Sequence, residues 1–142
     1  MDDKVEELIR LAMQARDSAY APYSNHPVGV SLLTGGGTIH TGCNVENAAY
    51  PLGVCAEPVA IADMVKKGHR KIELLVIAGP ASGLCMPCGG CRQQIREFGA
   101  DDTQIYVCDV DGAIQLTTTL GALLPHSFGP ENFDFLKDEI DE

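Results

Sequence analysis

Pro-Cys-Gly-Gly-Cys-Arg-Gln, residues 87–93, is the stretch from which the organisation of this chain can be worked out. Its two thiols, Cys88 and Cys91, stand three residues apart, just before a run, 94–98, that predicts a helix. Thiols at this spacing on a first helical turn point the same way, and the unpaired N–H groups and the dipole there favour the thiolate over the thiol. The stretch therefore predicts half of a zinc site at the start of a helix.

A third ligand must come from elsewhere in the chain, and Cys55 is the best candidate. Cys55 opens a second helix-like stretch, and a carboxylate, Glu57, follows two places later. Three protein ligands leave the fourth position of zinc open for water, which is typical of catalytic sites, whereas four are typical of structural ones. Bound zinc lowers the pKa of its water to about 7, and a neighbouring carboxylate can carry the released proton. The pattern therefore predicts addition of hydroxide to an electrophilic carbon.

Composition and charge restrict the partners that this chain can have. It has 142 residues, 45% of them hydrophobic, so a single folded domain over 1–142 is expected, with an acidic solvated tail at 131–142. A formal net charge of -10 is the wrong sign for binding a phosphate backbone, so nucleic-acid partners are not expected. No apolar run approaches the roughly 20 residues of a spanning helix, and we expect a cytoplasmic protein with no membrane partner. In a reducing compartment, clustered cysteines favour a metal over disulfides.

Helical and extended patterns alternate along the chain and predict an α/β protein. In such sheets the strand ends and the starts of the following helices gather at one edge, which would bring the distant thiols together. A polar loop, 42–53, leads into the Cys55 helix and is expected to carry specificity. The order predicts a three-layer α/β/α sandwich with a mixed sheet of about five strands. The predicted elements are a helix with apolar positions from Val5 to Ala19, strands at 28–33 and 38–41, a helix at 55–67, a strand at 72–78, a helix ending near Phe98, strands at 104–108 and 113–117, and a helical turn at 120–124.

Several segments together resemble the small cytidine deaminases, the nucleoside-acting members of the zinc deaminase superfamily, over nearly the whole chain. The segments are 41–49 (Thr-Gly-Cys-Asn-Val-Glu-Asn-Ala-Ala), 55–57 (Cys-Ala-Glu) and 87–93, in the family's order and spacing. Residues 21–24 and 124–130 also resemble family segments. The superfamily uses a three-ligand zinc, a glutamate that is not a ligand and a Pro-Cys-x-x-Cys signature.

The resemblance implies a catalytic centre and its reaction. Cys55, Cys88 and Cys91 would hold Zn²⁺, and Glu57 would carry the proton of the activated water to ring N3 and then to the leaving amine. The implied reaction is hydrolytic deamination of cytidine and deoxycytidine to uridine and deoxyuridine, with release of ammonia.

The resemblance also implies residues that bind the substrate and a subunit arrangement. Asn44 and Glu46 match the pair that hydrogen-bonds the ribose, and backbone groups around Ala56 would recognise the amino group. Tyr50 and Phe128 match positions through which neighbouring subunits complete the family's pocket. A homotetramer with shared active sites is therefore implied.

Two positions depart from the family's usual pattern. His26 stands where a Phe usually packs on the base, and it is interpreted either as a tolerated flat ring or as the cause of a shifted base preference, since imidazole also donates, accepts and ionises. Pro58 stands where many members carry an Arg that hydrogen-bonds the zinc thiolates. Proline fits a first helical turn, but the loss of a cation predicts a weaker Lewis acid unless Arg92 and the two helix dipoles compensate.

Other interpretations of the cysteines and of the function are also open. Cys85 forms its own Cys-x-x-Cys with Cys88, although Pro87 and the start of the helix favour Cys88 with Cys91. A deaminase of another aminopyrimidine nucleoside, a modified cytosine or a compound like blasticidin S, would fit the departures at His26 and Pro58. A non-catalytic structural zinc module would need a fourth ligand, for which the candidates are Cys85, Cys43 and His40.

Overall fold

The computed structural model describes residues 2–133, and over this range the chain forms four α-helices and five β-strands. The helices are α1 Asp3–Asp17, α2 Ala56–Lys66, α3 Gly89–Phe98 and α4 Leu120–Leu123. The strands are β1 Gly29–Thr34, β2 Ile39–Cys43, β3 Ile72–Ala78, β4 Gln104–Cys108 and β5 Ile114–Thr119. Two 3-10 turns, Tyr50–Leu52 and Pro130–Asn132, lie in connecting segments.

The strands form one mixed sheet in the order β2-β1-β3-β4-β5. β1 is antiparallel to both β2 and β3, β3 is parallel to β4, and β4 is antiparallel to β5. β2, β3 and β4 therefore run in the same direction and end at the same edge of the sheet. Their last residues are Cys43, Ala78 and Cys108, and the connections after β2 and β3 lead into α2 and α3.

Helices cover both faces of the sheet, as the alternating side chains of β3 show. Leu75 and Ile77 pack in a core cluster with residues of α2 and α3, whereas Leu74 and Val76 pack in a second cluster with α1. Apart from the exposed Glu73, every residue of β3 is buried. This is why the strand has a nearly continuous apolar sequence. The three-layer α/β/α sandwich predicted from the sequence is confirmed.

The predicted boundaries of β3 and β4 are confirmed, and the boundaries of other strands and helices differ by one or two residues. β5 begins at Ile114, one residue later than predicted, because the Asp109 side chain accepts hydrogen bonds from the backbone of Asp111 and Ala113 and keeps Ala113 in the turn. β2 starts at Ile39 and extends to Cys43. The 3-10 turns were not predicted.

Within the described residues, no helix is long and apolar enough to cross a bilayer. Of the predicted acidic tail, 131–142, residues 134–142 lie outside the described range.

Candidate active site and metal centre

Three cysteines meet where α2 and α3 begin. Cys55 and Cys88 are the N-cap residues of these helices, and Cys91 lies in the first turn of α3. Their sulfur atoms lie within 4.8 Å of one another. A tetrahedral zinc ion with Zn–S distances of about 2.3 Å separates its sulfur ligands by roughly 3.8 Å, so these thiols fit zinc after small adjustments. In residues 2–133 no other group of three or more Cys, His, Asp or Glu side chains is gathered in this way.

The candidates for a fourth ligand lie outside this cluster. Cys85 and Cys43 are described by the structure, but they do not belong to the group of cysteines that could hold a metal ion. His40 is buried, and its ring nitrogens are used elsewhere: Nδ1 lies 2.9 Å from Asp63 Oδ2, and Nε2 lies 3.0 Å from Thr38 Oγ1. The described residues thus supply three ligands, which is the number found in catalytic zinc sites.

The three thiols have different electrostatic surroundings. The backbone N–H of Cys91 lowers the pKa of Cys88, as expected for a thiolate at a helix N-terminus. Burial raises the pKa of both Cys55 and Cys91, and the charge of Glu57 raises both further. Zinc binds thiolates, so a bound cation would have to displace the protons of Cys55 and Cys91.

Glu57 is a buried carboxylate beside the thiols. It is the second residue of α2, and its side chain is only 4% exposed. Its charge acts on Cys91 and Cys55, and also on Cys85, whose pKa is raised mainly by burial. A carboxylate so placed can exchange protons with a group that is bound at the thiols.

Arg92 makes hydrogen bonds that the sequence did not reveal, whereas Pro58 lies in a first helical turn as the sequence predicted. Arg92 donates from Nε to the carbonyl of Pro87 at 2.9 Å and from Nη1 to the carbonyl of Leu123 at 2.8 Å. These contacts tie the loop before Cys88 to α4. Pro58 lies in the first turn of α2, where a backbone N–H would have no partner within the helix.

A pocket of about 410 Å³ opens next to Cys55. Three predicted substrate-binding residues, Asn44, Glu46 and Tyr50, line it, whereas His26, Ala56 and Phe128, although described, do not belong to its lining. The described residues of the lining are Tyr23, Ser24, Asn44, Glu46, Asn47, Tyr50, Gly53, Val54 and Cys55.

The polar side chains of this pocket also hold the segment 23–28 in place. Asn44 donates from Nδ2 to the carbonyl of His26 and accepts at Oδ1 from the N–H of Val28, both at 2.9 Å. Glu46 accepts from the N–H of Tyr23 and from both the N–H and the hydroxyl of Ser24. The Ser24 hydroxyl is the main cause of the lowered pKa of Glu46.

His26 and Ala56 lie outside the pocket lining, and each has a neighbour in the metal-site segments. His26 is exposed, and its Nε2 lies 3.6 Å from Cys85 Sγ in the loop that precedes Cys88. Ala56 is buried as the first residue of α2, between Cys55 and Glu57.

Phe128 points outward from a segment that α3 supports. Its ring is 58% exposed, while its carbonyl accepts from Gln93 Nε2 at 3.0 Å. Arg96 donates to Ser127 Oγ at 2.7 Å and forms an ion pair with Glu131. The sequence analysis named Gln93 only as the end of the 87–93 motif and did not predict that Gln93 and Arg96 support the Phe128 segment. The available signal was two polar side chains at helical spacing after Cys91.

Comparisons with known proteins agree with this arrangement. The family model for the zinc-binding region of cytidine and deoxycytidylate deaminases matches residues 2–107. The cytidine deaminase of Sporosarcina psychrophila is 40% identical over 135 residues, which cover 95% of this chain and 98% of that protein. The crystal structure of cytidine deaminase from Burkholderia pseudomallei has a TM-score of 0.82 at 38% identity and covers 90% of this chain and 100% of that one. The Mycobacterium tuberculosis cytidine deaminase structure has a TM-score of 0.79 at 35% identity, with coverage of 90% and 99%.

The sandwich fold, with three thiols and a buried glutamate at the edge of the sheet, defines a zinc-dependent deaminase, which is a hydrolase. The matched region, 2–107, contains all three cysteines and Glu57. The chain belongs to the cytidine and deoxycytidylate deaminase family.

Proposed function

We propose that this chain catalyses hydrolytic deamination of cytidine and deoxycytidine, with Cys55, Cys88 and Cys91 holding zinc and Glu57 as the catalytic residue. The observation that carries the proposal is the buried Glu57 carboxylate beside three converging thiols. Zinc bound by these cysteines would supply an activated water as the nucleophile.

Glu57 moves two protons in this reaction. Its carboxylate takes the proton that the attacking water releases and passes it to N3 of the pyrimidine, which makes C4 more electrophilic. It then takes the remaining hydroxyl proton from the tetrahedral carbon and passes it to the amino group. Ammonia leaves, C4 becomes a carbonyl, and Glu57 is again ionised.

The nucleoside occupies the pocket beside Cys55. Asn44 and Glu46 lie in the wall of this pocket and would hydrogen-bond the ribose. Backbone groups around Ala56 would contact the amino group next to the metal, and His26 would flank the base. Asn44 and Glu46 also hydrogen-bond the backbone of the segment 23–28. Binding of the ribose by these two side chains would therefore affect the position of His26.

The active protein is proposed to be a homotetramer in which Tyr50 and Phe128 complete the sites of neighbouring subunits. The support is apolar surface around the pocket: Tyr50 is 75% exposed and Leu52 66%. Phe128 presents a second aromatic surface. Contiguous exposed apolar patches are typical of interaction surfaces.

We also propose one domain over 1–142, a cytoplasmic location and a role in pyrimidine salvage.

Ammonia release by the zinc-loaded protein tests the proposal. The panel is cytidine, deoxycytidine, cytosine, CMP, 5-methylcytidine, adenosine and blasticidin S. Glu57→Gln should lose roughly 10²-fold or more in rate while it retains zinc, because it cannot carry protons. Glu73→Gln, at an exposed position of β3, is the matched control and should keep full activity. A zinc-loaded protein that is inactive on cytidine and deoxycytidine would refute the proposal.

A deaminase of a different aminopyrimidine nucleoside is the second candidate, and the observation that favours it is the imidazole of His26 beside the metal-site loop. Turnover of 5-methylcytidine or blasticidin S without turnover of cytidine would establish it. A non-catalytic zinc module is opposed by the buried Glu57 and by the three-ligand cluster of the described residues.

A further inference from the structure

The helix that carries two of the metal-site cysteines, α3, also holds a segment near the end of the described chain. This C-terminal segment, 123–131, runs from the last residue of α4 into the second 3-10 turn. Within residues 2–133 it pairs with no strand of the sheet, so its attachment depends on side chains. Three polar side chains that follow Cys91 on α3 contact it, namely Arg92, Gln93 and Arg96.

Arg96 binds the C-terminal segment at three points. Its Nε donates to Ser127 Oγ at 2.7 Å, and its guanidinium forms an ion pair with Glu131. The backbone of Gly129 lies against the same guanidinium, since a Cβ built on Gly129 would lie 2.5 Å from Arg96 Cζ. The Arg96 side chain is only 12% exposed. The segment therefore covers this arginine and is held by it.

Arg92 connects the C-terminal segment to the metal site. Its Nη1 donates to the Leu123 carbonyl at 2.8 Å, where the segment begins. Its Nε donates to the Pro87 carbonyl at 2.9 Å, and Pro87 is a buried residue directly before Cys88. One half-buried guanidinium thus fixes both the start of the segment and the residue that precedes a proposed zinc ligand.

The bond to Pro87 acts on the position of Cys88. The Pro87 carbonyl belongs to the peptide group that joins the two residues, and a peptide group is planar. Fixing its oxygen therefore fixes the plane that ends at the Cα of Cys88. Cys88 is the N-cap residue of α3, with an extended backbone. Arg92 thereby helps to set the direction in which the Cys88 thiol leaves the start of the helix.

Arg92 could serve the metal site through its charge or through its geometry, and the two roles need different features of the side chain. A charge role needs only a cation near the thiolates. A geometric role needs the planar guanidinium, whose N–H groups point in fixed directions, whereas a lysine ammonium is a compact point charge. The two short contacts to carbonyl oxygens favour the geometric role.

We propose that Arg92 is a positioning residue for Cys88, and that through it zinc binding and docking of the C-terminal segment stabilise each other. The inference rests on the zinc-binding part of the proposed function. Coupling between two binding events is reciprocal. If the docked segment favours the ligand geometry, bound zinc must favour docking by the same factor.

Zinc affinity, measured by competition with a chromophoric chelator, tests the positioning role. Arg92→Gln should bind zinc roughly 10-fold more weakly, the scale for groups that orient metal ligands. Arg92→Lys keeps the positive charge but not the planar fork, and it should be weakened to a similar extent. Wild-type affinity in Arg92→Lys, with or without weak binding in Arg92→Gln, would overturn the inference, because the geometry of the guanidinium would then not matter.

Amide hydrogen exchange tests the coupling and needs no turnover. In the wild type, zinc should slow exchange in 123–131 by roughly 5-fold or more, the lower end of typical coupling factors. Exchange in α1, on the other face of the sheet, should not change. In zinc-saturated Arg92→Gln, the segment should exchange as fast as in the zinc-free wild type. Equal exchange with and without zinc would overturn the inference, and so would slowing that includes α1.

Arg96→Gln tests the coupling from the other direction. It removes the ion pair with Glu131 but keeps both carbonyl contacts of Arg92. Exchange in 123–131 should become faster, and zinc affinity should fall by a smaller factor than in Arg92→Gln. Faster exchange with unchanged zinc affinity would overturn the inference. Arg10→Gln, at an exposed position of α1, is the control and should change neither measurement.

The same measurements distinguish failure of the inference from failure of the proposed function. Wild-type protein that binds no zinc at Cys55, Cys88 and Cys91 would refute the proposed function and this inference together. Zinc binding at these cysteines without a change in the exchange of 123–131 would overturn the inference alone.

Discussion

The backbone N–H of Cys91 donates a hydrogen bond to the Sγ of Cys88, with a nitrogen–sulfur distance of 3.5 Å. This contact is the main cause of the lowered pKa of Cys88. Burial has the opposite effect on Cys91 and raises its pKa. Two thiols three residues apart therefore differ in how readily they ionise, although the sequence motif predicts the same helix N-terminal environment for both.

In zinc-free protein we expect Cys88 to be alkylated before Cys91 and Cys55. Near neutral pH, iodoacetamide should modify Cys88 roughly 10-fold faster or more, because only thiolates react. The difference should narrow as the pH rises and the other thiols ionise. Peptide mass spectrometry measures each rate, and bound zinc should protect all three cysteines but leave Cys43 unaffected. Faster alkylation of Cys91 than of Cys88 would contradict the prediction.

Gly42 of β2 allows α2 to approach the sheet closely, and we expect Gly42→Ala to damage the site. A Cβ at this position would lie 2.4 Å from the backbone nitrogen of Ala60 and 2.6 Å from the carbonyl oxygen of Ala56. Because both atoms are backbone, the helix must shift, at a cost of about 1–3 kcal/mol or more in the free energy of unfolding. Zinc content and deaminase activity should fall too, since the N-cap residue of this helix is Cys55, a proposed metal ligand.

Gly83→Ala is the matched control for Gly42→Ala. A Cβ at Gly83 meets no atom within 4 Å, so the variant should unfold at the wild-type temperature and keep its zinc. Equal Tm values for Gly42→Ala and Gly83→Ala would show that stability does not depend on the close approach of α2 to Gly42.

Asn44→Ala should lower stability as well as substrate affinity. The substitution removes two hydrogen bonds to the backbone of the 26–28 segment, worth about 1–3 kcal/mol together. Asn47→Ala is the comparison, because Asn47 also lines the pocket but, within residues 2–133, its side chain accepts only a local hydrogen bond from the Ala49 N–H. Denaturant unfolding and KM for cytidine measure the two effects. A raised KM with unchanged stability would mean that Asn44 serves the ribose alone.

Asp109 should make stability depend on pH. Hydrogen bonds, chiefly from the Ala113 N–H and also from Asp111 and Gln115, lower the pKa of its carboxyl. A carboxyl whose pKa is lower in the folded state stabilises the fold above its unfolded pKa, about 3.9, and loses this effect as the pH falls through the folded pKa. Asp109→Asn should therefore have a lower Tm than the wild type at neutral pH, and the difference should shrink in acid. Asp102→Asn, at an exposed position, should give no such difference in Tm. A difference in Tm between Asp109→Asn and the wild type that persists in acid would contradict the argument.

The metal cluster and the central strands could be predicted because their signals are local. Cys88 and Cys91 share one helical turn, and the i to i+3 spacing places their sulfurs together in any helix that starts there. The run at 72–78 is almost wholly apolar because both faces of β3 are covered, so its pattern alone predicts a buried strand. The parallel pairing of β3 and β4 follows from the helix between them.

The sequence by itself therefore determined the sandwich, the three cysteines and the carboxylate that accompanies them. Only the tertiary structure decided that Asn44 holds the backbone at His26, that Arg92 binds the Pro87 and Leu123 carbonyls, and that His26 reaches Cys85. These partners are joined by loops whose paths depend on how the sheet edge and the helix ends pack. The periodicity of the sequence does not predict these contacts, because a hydrogen bond between distant loops depends on their positions in space and not on their spacing along the chain.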